Sequence, residues 1–555
     1  MIVPELRPWR AARPHVVRVT DAVRPRLARA AGIVRPRLAR VSAAAKPQVV
    51  RLTQAAKPHL ARVTKPMAGQ SARSWQYTAG AATAGLALAA GVVTAVGPWD
   101  STGQRTAERD RAVALERTGG ADHGRTDDSS PTSDTAAGAP RPAPSAASVL
   151  AALGGAANAV KSAPDALPTG TGLTGVLTPL LGDPALGARH TAAVVDVATG
   201  KRLYGTGGDV ALTPASTTKI ATAVAALSAM GAEHRLTTRA ALEPDTKELV
   251  LVGGGDPTLT ARADAEGWAS LRALAASTAT ALKKRGLTQV TLSYDTTLYA
   301  GAEVHPIGAN PNLAPVTALS ADEGRTDDST SGPTTRVSDP AADATRRFAQ
   351  FLKTAGIRTT APGPSKATTR AQSLATVSSP PLSALVERML TNSDNDIAEA
   401  LARQTAVATG VRADFDGAGK AVQAQLKKLG LPTAGARFKD GSGLDREDRL
   451  TANLLTALLV KAADATRPDL RPVLTGLPVA GFTGTLTSRY IDGAAGVVRA
   501  KTGTLTGVNT LAGTVVDQDG RLLAFALLTA DTTDPAAAQA ALDRAATALA
   551  GCGCR

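Results

Sequence analysis

The chain has 555 residues, enough for more than one domain with a full core, and a net charge of +15 gathered at one end. Residues 1–74 carry 16 Lys/Arg against the two acids Glu5 and Asp21, a net +14 that leaves +1 for the other 481. A nucleic-acid-binding enzyme carries its basic charge on its folded part, so this distribution argues against a nucleic-acid partner. The two cysteines, Cys552 and Cys554, give no disulfide framework to the body, and the terminal "CGC" reads as a frayed tail rather than a ligand pair. Six scattered histidines, with no H-x-H or H-E-x-x-H spacing, argue against a protein-held metal.

The basic segment is a repeat. Pro14, Pro25, Pro36, Pro47 and Pro58 recur every eleven residues, each after Arg or Lys, as in "VRPRLARAAGI". Eleven residues are close to three helical turns, so the units read either as short amphipathic helices for an anionic membrane surface or as a solvated basic tail. Residues 78–97, "TAGAATAGLALAAGVVTAVG", are uncharged and bracketed by Trp75, Tyr77 and Trp99. That length and those flanks fit a membrane span with its N-terminal side in the cytoplasm; a cleaved signal peptide is the alternative, and Met67 is an alternative start. The polar stretch 100–147 reads as a disordered spacer, with folded sequence beginning near residue 170.

"TAAVVDVATGKRLYGTG" predicts a β-hairpin. "TPASTTKIATAVAALSAM", 213–230, predicts a buried helix, because the residues after Lys219 are apolar almost all round. A cation there opposes both the helix dipole and burial. Ser216, Thr217 and Thr218 are good N-cap residues, so Lys219 can be read as bending out to solvent. Alternatively, Ser216 and Lys219 lie on one helix face, and a lysine of depressed pKa activates the hydroxyl. Residues 235–385 mix strand and helix patterns ("KELVLVGGGDPTL", "QVTLSYD", "PAADATRRFAQFLKTAGI") and are large enough for an inserted domain. "TNSDNDIAEAL" places Ser393, Asp394 and Asn395 at a helix start. "GVVRAKTGTL", "NTLAGTVVDQDG" and "RLLAFALLTA" predict three strands, followed by a C-terminal helix. The fold class is therefore α/β (α+β), with one sheet joining the chain ends and flanked by helices.

Three short motifs then stand in order: S-x-x-K at Ser216–Lys219, S-x-N at Ser393–Asn395, and K-T-G at Lys501, Thr502 and Gly503, followed by Thr504. Each alone is weak; together, in helix, helix-start and strand contexts, they are specific. With "GGGDPTL" (253–259), "VSDPA" (337–341), "DGSGL" (440–444) and "LPVAGFTGTL" (477–486), the chain over about 170–550 resembles the class C low-molecular-mass penicillin-binding proteins, the D-alanyl-D-alanine carboxypeptidase/endopeptidases. The 177 residues from Ser216 to Ser393 leave room for that family's insertion.

The resemblance implies a serine β-lactamase/penicillin-binding-protein-like transpeptidase fold with a large insert between the first two motifs, and no cofactor. It implies peptidoglycan stem peptides ending in D-Ala-D-Ala as substrate and β-lactams as inhibitors. Ser216 attacks the penultimate carbonyl and Lys219 takes its proton. Ser393 and Lys501 relay that proton to the leaving nitrogen, and Asn395 holds the substrate amide. Lys501, Thr502 and Thr504 bind the terminal carboxylate, and the N–H groups of Ser216 and Thr504 form an oxyanion hole. A class A β-lactamase shares all three motifs but needs a deacylating glutamate, and no suitable E-x-x-x-N lies between Asn395 and Lys501. A membrane-anchored sensor of β-lactams or muropeptides is the reading from outside the enzyme class. The long basic tail is a departure that the resemblance does not explain.

Overall fold

The computed structural model describes residues 168–490 and 493–554. The basic repeat, the 78–97 segment and the spacer lie outside the described residues. No helix among the described residues is long and apolar enough to cross a membrane.

In chain order the elements begin with α1 (Gly170–Leu181), β1 (Arg189–Asp196), β2 (Arg202–Thr206) and α2 (Thr218–Met230). Next come β3 (Thr237–Leu242), β4 (Glu248–Val252), α3 (Leu271–Lys284), β5 (Gln289–Asp295) and α4 (Pro340–Thr354). The short β6 (Arg358–Thr359) and β7 (Gly363–Pro364) precede β8 (Gln372–Ser378). Five helices follow: α5 (Leu382–Asn392), α6 (Asn395–Ala408), α7 (Phe415–Lys428), α8 (Ala452–Ala463) and the single turn α9 (Pro472–Thr475). The chain closes with β9 (Val498–Leu505), β10 (Val508–Val516), β11 (Leu522–Ala530) and α10 (Pro535–Ala550).

The first sheet has the order β2-β1-β11-β10-β9, so the first hairpin of the described residues pairs with the last strand in one antiparallel layer. Its central strands are near-continuous apolar runs because both faces are covered. Side chains alternate between two cores along β11. Leu523, Phe525 and Leu527 pack toward α1 and α10, beside Leu173, Leu177 and Leu542. Ala524, Ala526 and Leu528 pack toward α2 and α8, beside Ile220, Val224 and Leu458. The alanines on that second face let α8 approach the sheet closely.

A second sheet, order β6-β5-β4-β3-β8, is built entirely from residues between α2 and α5. Its β4–β5 and β5–β6 pairs are parallel. Each parallel pair requires a crossover, supplied by α3 and α4. Those helices bury Leu274, Leu282, Phe348 and Leu352 against the strands, forming a core separate from the other two.

Two sequence expectations are corrected. The C-terminal "CGC" is not frayed: Cys552 is buried in the α1/α10 core, Thr169 N–H donates to the Cys554 carbonyl at 2.7 Å, and the two cysteines are disulfide-paired. Ser393 does not open a helix with its neighbours. It ends α5 in the left-handed conformation (φ 57°, ψ 39°), and Asp394 caps α6 by accepting from Ile397 N–H.

Candidate active site

Ser216 sits in a one-turn segment, Ala215–Thr217, that feeds α2. The N-cap side chain Thr217 makes no capping bond; its hydroxyl donates instead to the Pro214 carbonyl. The solvated-cap reading of this motif is not what forms. Lys219 is fully buried. Its ammonium nitrogen reaches Ser216 Oγ at 3.0 Å, Asn395 Oδ1 at 2.7 Å and the Ser442 carbonyl at 2.7 Å. Burial pulls the Lys219 pKa down to about 8, against the opposing pull of Asp440, Glu399, Asp394 and Asp448. A minor but far larger than usual fraction of this amine is neutral near physiological pH, and it lies at hydrogen-bond distance from a half-buried serine hydroxyl.

Asn395 is engaged at both ends of its carboxamide, accepting from Lys219 and donating Nδ2–H to the Asn312 carbonyl at 2.9 Å. Its first duty in the free enzyme is thus to hold the lysine, with the 303–316 loop behind it. Ser393 Oγ makes no hydrogen bond among the described residues. The left-handed turn at Ser393 places it between the ends of two helices that pack on α2.

The K-T-G segment lies on β9, at the sheet edge. Lys501 is fully buried, and its Nζ donates to the Thr502 carbonyl at 2.8 Å rather than to Ser393 or Ser216. Burial, together with the charges of Lys219 and Arg489, pushes its pKa well below the lysine range. Thr502 Oγ1 donates to Thr485 Oγ1 at 2.9 Å, and Thr504 is exposed. Gly503 is required by contact: a Cβ there would stand 2.2 Å from Thr510 Oγ1, 2.8 Å from the Pro214 carbonyl and 3.0 Å from Ser216 N. The strand therefore passes directly against the backbone of Ser216, the placement an oxyanion hole built from the two N–H groups would need.

The sequence reading quoted "DGSGL" but gave it no task. Its aspartate, Asp440, is buried and accepts from Ser442 N, Gly443 N and Asp445 N at 3.1, 2.6 and 2.7 Å. Gly443 has φ +84°, and a Cβ would stand 1.9 Å from the Ala215 carbonyl, so only glycine lets this loop close over the Ala215–Thr217 turn. Glu399, on α6, accepts from Gly441 N and Ser442 N. These bonds aim the Ser442 carbonyl at Lys219. Burial and the charge of Asp440 raise the Glu399 pKa to about 7. Hydrogen bonds from His305 and Asp448 hold Asp440 below the usual carboxylate value despite burial.

His305, Glu399 and Asp440 present ligand-type atoms within 4.8 Å of one another. Those atoms are already committed to the bonds just described and to a His305–Asp440 contact, which makes the group a hydrogen-bond hub. A second group, Glu323, Asp394 and Asp396, is interleaved with Arg325, Arg336 and Arg388; the Arg336–Asp396 bridge of 2.9 Å fastens the inserted segment to α6.

Comparison with known proteins follows this geometry. The D-Ala-D-Ala carboxypeptidase 3 (S13) family pattern matches residues 173–334 and 326–549. Carboxypeptidase Rv3627c of Mycobacterium tuberculosis is 36% identical over 403 residues, covering 70% of this chain and 86% of that protein. Carboxypeptidase DacB of Mycolicibacterium smegmatis is 38% identical over 406 residues, covering 70% and 85%. Among solved structures, penicillin binding protein 4 (dacB) of Haemophilus influenzae superposes with a TM-score of 0.55 at 21% identity, covering 68% of this chain and 98% of that one.

Proposed function

The chain belongs to the D-Ala-D-Ala carboxypeptidase 3 (S13) family and is a serine-type enzyme of that kind acting on peptidoglycan, and on that premise we propose how its residues divide the work. Ser216 is the acylated nucleophile. Lys219, in its neutral form, accepts the hydroxyl proton as Oγ attacks the penultimate carbonyl of a stem peptide ending in D-Ala-D-Ala. The N–H groups of Ser216 and Thr504 receive the developing oxyanion, a contribution of several kcal/mol to the barrier in sites of this type.

On the other wall, Lys501 turns from the Thr502 carbonyl to the substrate. There the incoming carboxylate favours its protonated form, and the resulting ammonium, with Thr502 and Thr504, holds that carboxylate. Ser393 completes the path by which the proton reaches the leaving D-alanine nitrogen. Asn395 yields its Asn312 contact to bind the substrate amide. Water then releases the acyl-enzyme. The same chemistry accommodates a cross-link in place of the terminal D-alanine, so D,D-endopeptidase action is part of the proposal, and β-lactams acylate Ser216 as mimics of the dipeptide.

The observation that carries this reading is the Ser216–Lys219–Asn395–Ser442 cluster around a buried lysine. The test is release of D-alanine from a D-Ala-D-Ala peptide by the purified chain, lost in Ser216→Ala. Absence of release by the unsubstituted protein at any pH between 6 and 9 would contradict it.

Residues 78–97 are further proposed to anchor the protein in the membrane, with the basic repeat on the cytoplasmic side. The support is their length, their aromatic flanks and the Lys/Arg excess before them. Protease added outside wall-stripped cells then removes the 170–550 region and spares an epitope at residues 1–20. A mature protein starting after residue 97 would overturn the anchor in favour of a cleaved signal.

A further inference from the structure

His305 belongs to none of the motifs. It lies in the loop between β5 and α4, within the inserted segment, 135 residues from its partner Asp440, and both side chains are sealed from solvent. Its Nε2 is 3.1 Å from Asp440 Oδ2, and its Nδ1 accepts the Ile307 N–H at 3.2 Å. A backbone donor on Nδ1 places the ring hydrogen on Nε2, pointing at the carboxylate. Asp440 in turn gathers the N–H groups of the loop whose Ser442 carbonyl holds Lys219 Nζ at 2.7 Å.

From this chain of contacts we propose that His305 is a positioning residue for Lys219, acting through Asp440 and the Ser442 carbonyl. The proposal rests on the acyl-enzyme reading above. It links the insert to the catalytic lysine by a route distinct from the Asn312 carbonyl that backs Asn395.

The groups facing the imidazole come from every neighbouring element. Asp440 and Asp445 lie on the "DGSGL" loop and Glu399 on α6. From α7 comes Phe415, its ring perpendicular to the imidazole with ring centres 5.1 Å apart. The Arg403 guanidinium stacks on that same phenyl ring at 4.3 Å and donates to the Ala302 carbonyl at 2.9 Å. Burial opposes a charge on the ring, while the Asp440 hydrogen bond and the Glu399, Asp440 and Asp445 charges together lift its pKa above the usual histidine value. A second proton on Nδ1 would break the Ile307 contact, so loop geometry and ring charge are coupled.

Two variants of the full chain separate positioning from bulk structure. In His305→Gln, the side-chain amide reaches Asp440 with a neutral N–H donor. In His305→Asn, the shorter amide serves Ile307 N–H but falls short of Asp440. The readout is the second-order rate of acylation by a chromogenic penicillin across pH 5–10, with the thermal midpoint measured alongside. His305→Asn lowers the rate by about tenfold, the loss of one hydrogen bond to a charged group. It also moves the acid limb of the profile to lower pH, because Lys219 loses an acceptor that favours its charged form. His305→Gln restores most of the rate and the limb. If His305→Asn keeps the unsubstituted rate and profile, or if His305→Gln falls as far as His305→Asn, the proposal is overturned. Failure of the unsubstituted protein to be acylated would refute the acyl-enzyme reading instead.

Discussion

The two walls of the site are built to different degrees. On the helix wall, Ser216, Asn395 and the Ser442 carbonyl are already gathered on the Lys219 amine, and Asp440, Glu399 and His305 brace them from behind. On the strand wall, Lys501 is bonded to its own neighbour's carbonyl, and Thr504 faces solvent. Activating a serine requires a desolvated amine at fixed distance, which the fold must prepare in advance. Binding a carboxylate requires donors that the incoming charge can collect, and these can wait for it. Substitutions on the helix wall should therefore alter the chemical step whatever the acyl donor, and those on the strand wall should depend on the donor.

The largest effect is expected from Lys219→Arg. A guanidinium cannot give up its proton at working pH, so acylation by penicillin and peptide hydrolysis should both fall by about 10³-fold. Equal loss with both donors is the expected result. Loss with the peptide alone would move Lys219 to the substrate-binding wall.

A fully buried lysine also costs stability, with a defined pH window. Its folded pKa of about 8 lies below the unfolded value of about 10.5. Between those values the unfolded chain binds more protons, so stability rises with pH; below about pH 8 the full cost is present, and above about 10.5 it is gone. Lys219→Met removes this dependence. Relative to the unsubstituted protein it should be favoured at pH 7 by an amount that shrinks by roughly 3 kcal/mol as pH rises through the window, read from denaturant unfolding. A difference that stays constant with pH would show that Lys219 is charged in the native site to far higher pH.

Lys501→Gln tests the other wall. It should lower kcat/KM for a D-Ala-D-Ala peptide by about 10²-fold. A peptide whose terminal carboxylate is amidated, already poor, should lose much less. Equal losses on both peptides would place Lys501 in the proton path rather than at the carboxylate. Thr485→Val removes a hydroxyl that orients Thr502 at the surface. It should change KM by less than about threefold and leave kcat intact, as expected for one exposed neutral hydrogen bond.

Legibility in the sequence follows the same division. The hairpin, the three C-terminal strands and α4 were visible because their apolar periods are long and end at turn residues. α1 was not, since "GTGLTGVLTPLL" is rich in glycine and holds Pro179. α3 and β8 were also missed; β8 is an edge strand with no fully buried side chain, so it shows little hydrophobic pattern. Ser216, Lys219, Ser393, Asn395 and Lys501 could be named because their side chains form spaced motifs. The groups that hold Lys219 from behind leave a weaker trace. Two of them, the carbonyls of Ser442 and Asn312, are backbone, and a backbone acceptor has no residue signature. Asp440 and Gly443 stood in a quoted motif, and the tight turn they form was the available signal. His305 had none, because its partner lies far along the chain.

The central claim is that Ser216, primed by Lys219, forms the acyl-enzyme. It is tested most directly by incubating the purified chain with a penicillin, measuring the intact mass and mapping the modified peptide. The account predicts a gain of one drug molecule on the peptide bearing Ser216 and no gain in Ser216→Ala. A label on any other residue, or undiminished labelling of Ser216→Ala, would contradict it.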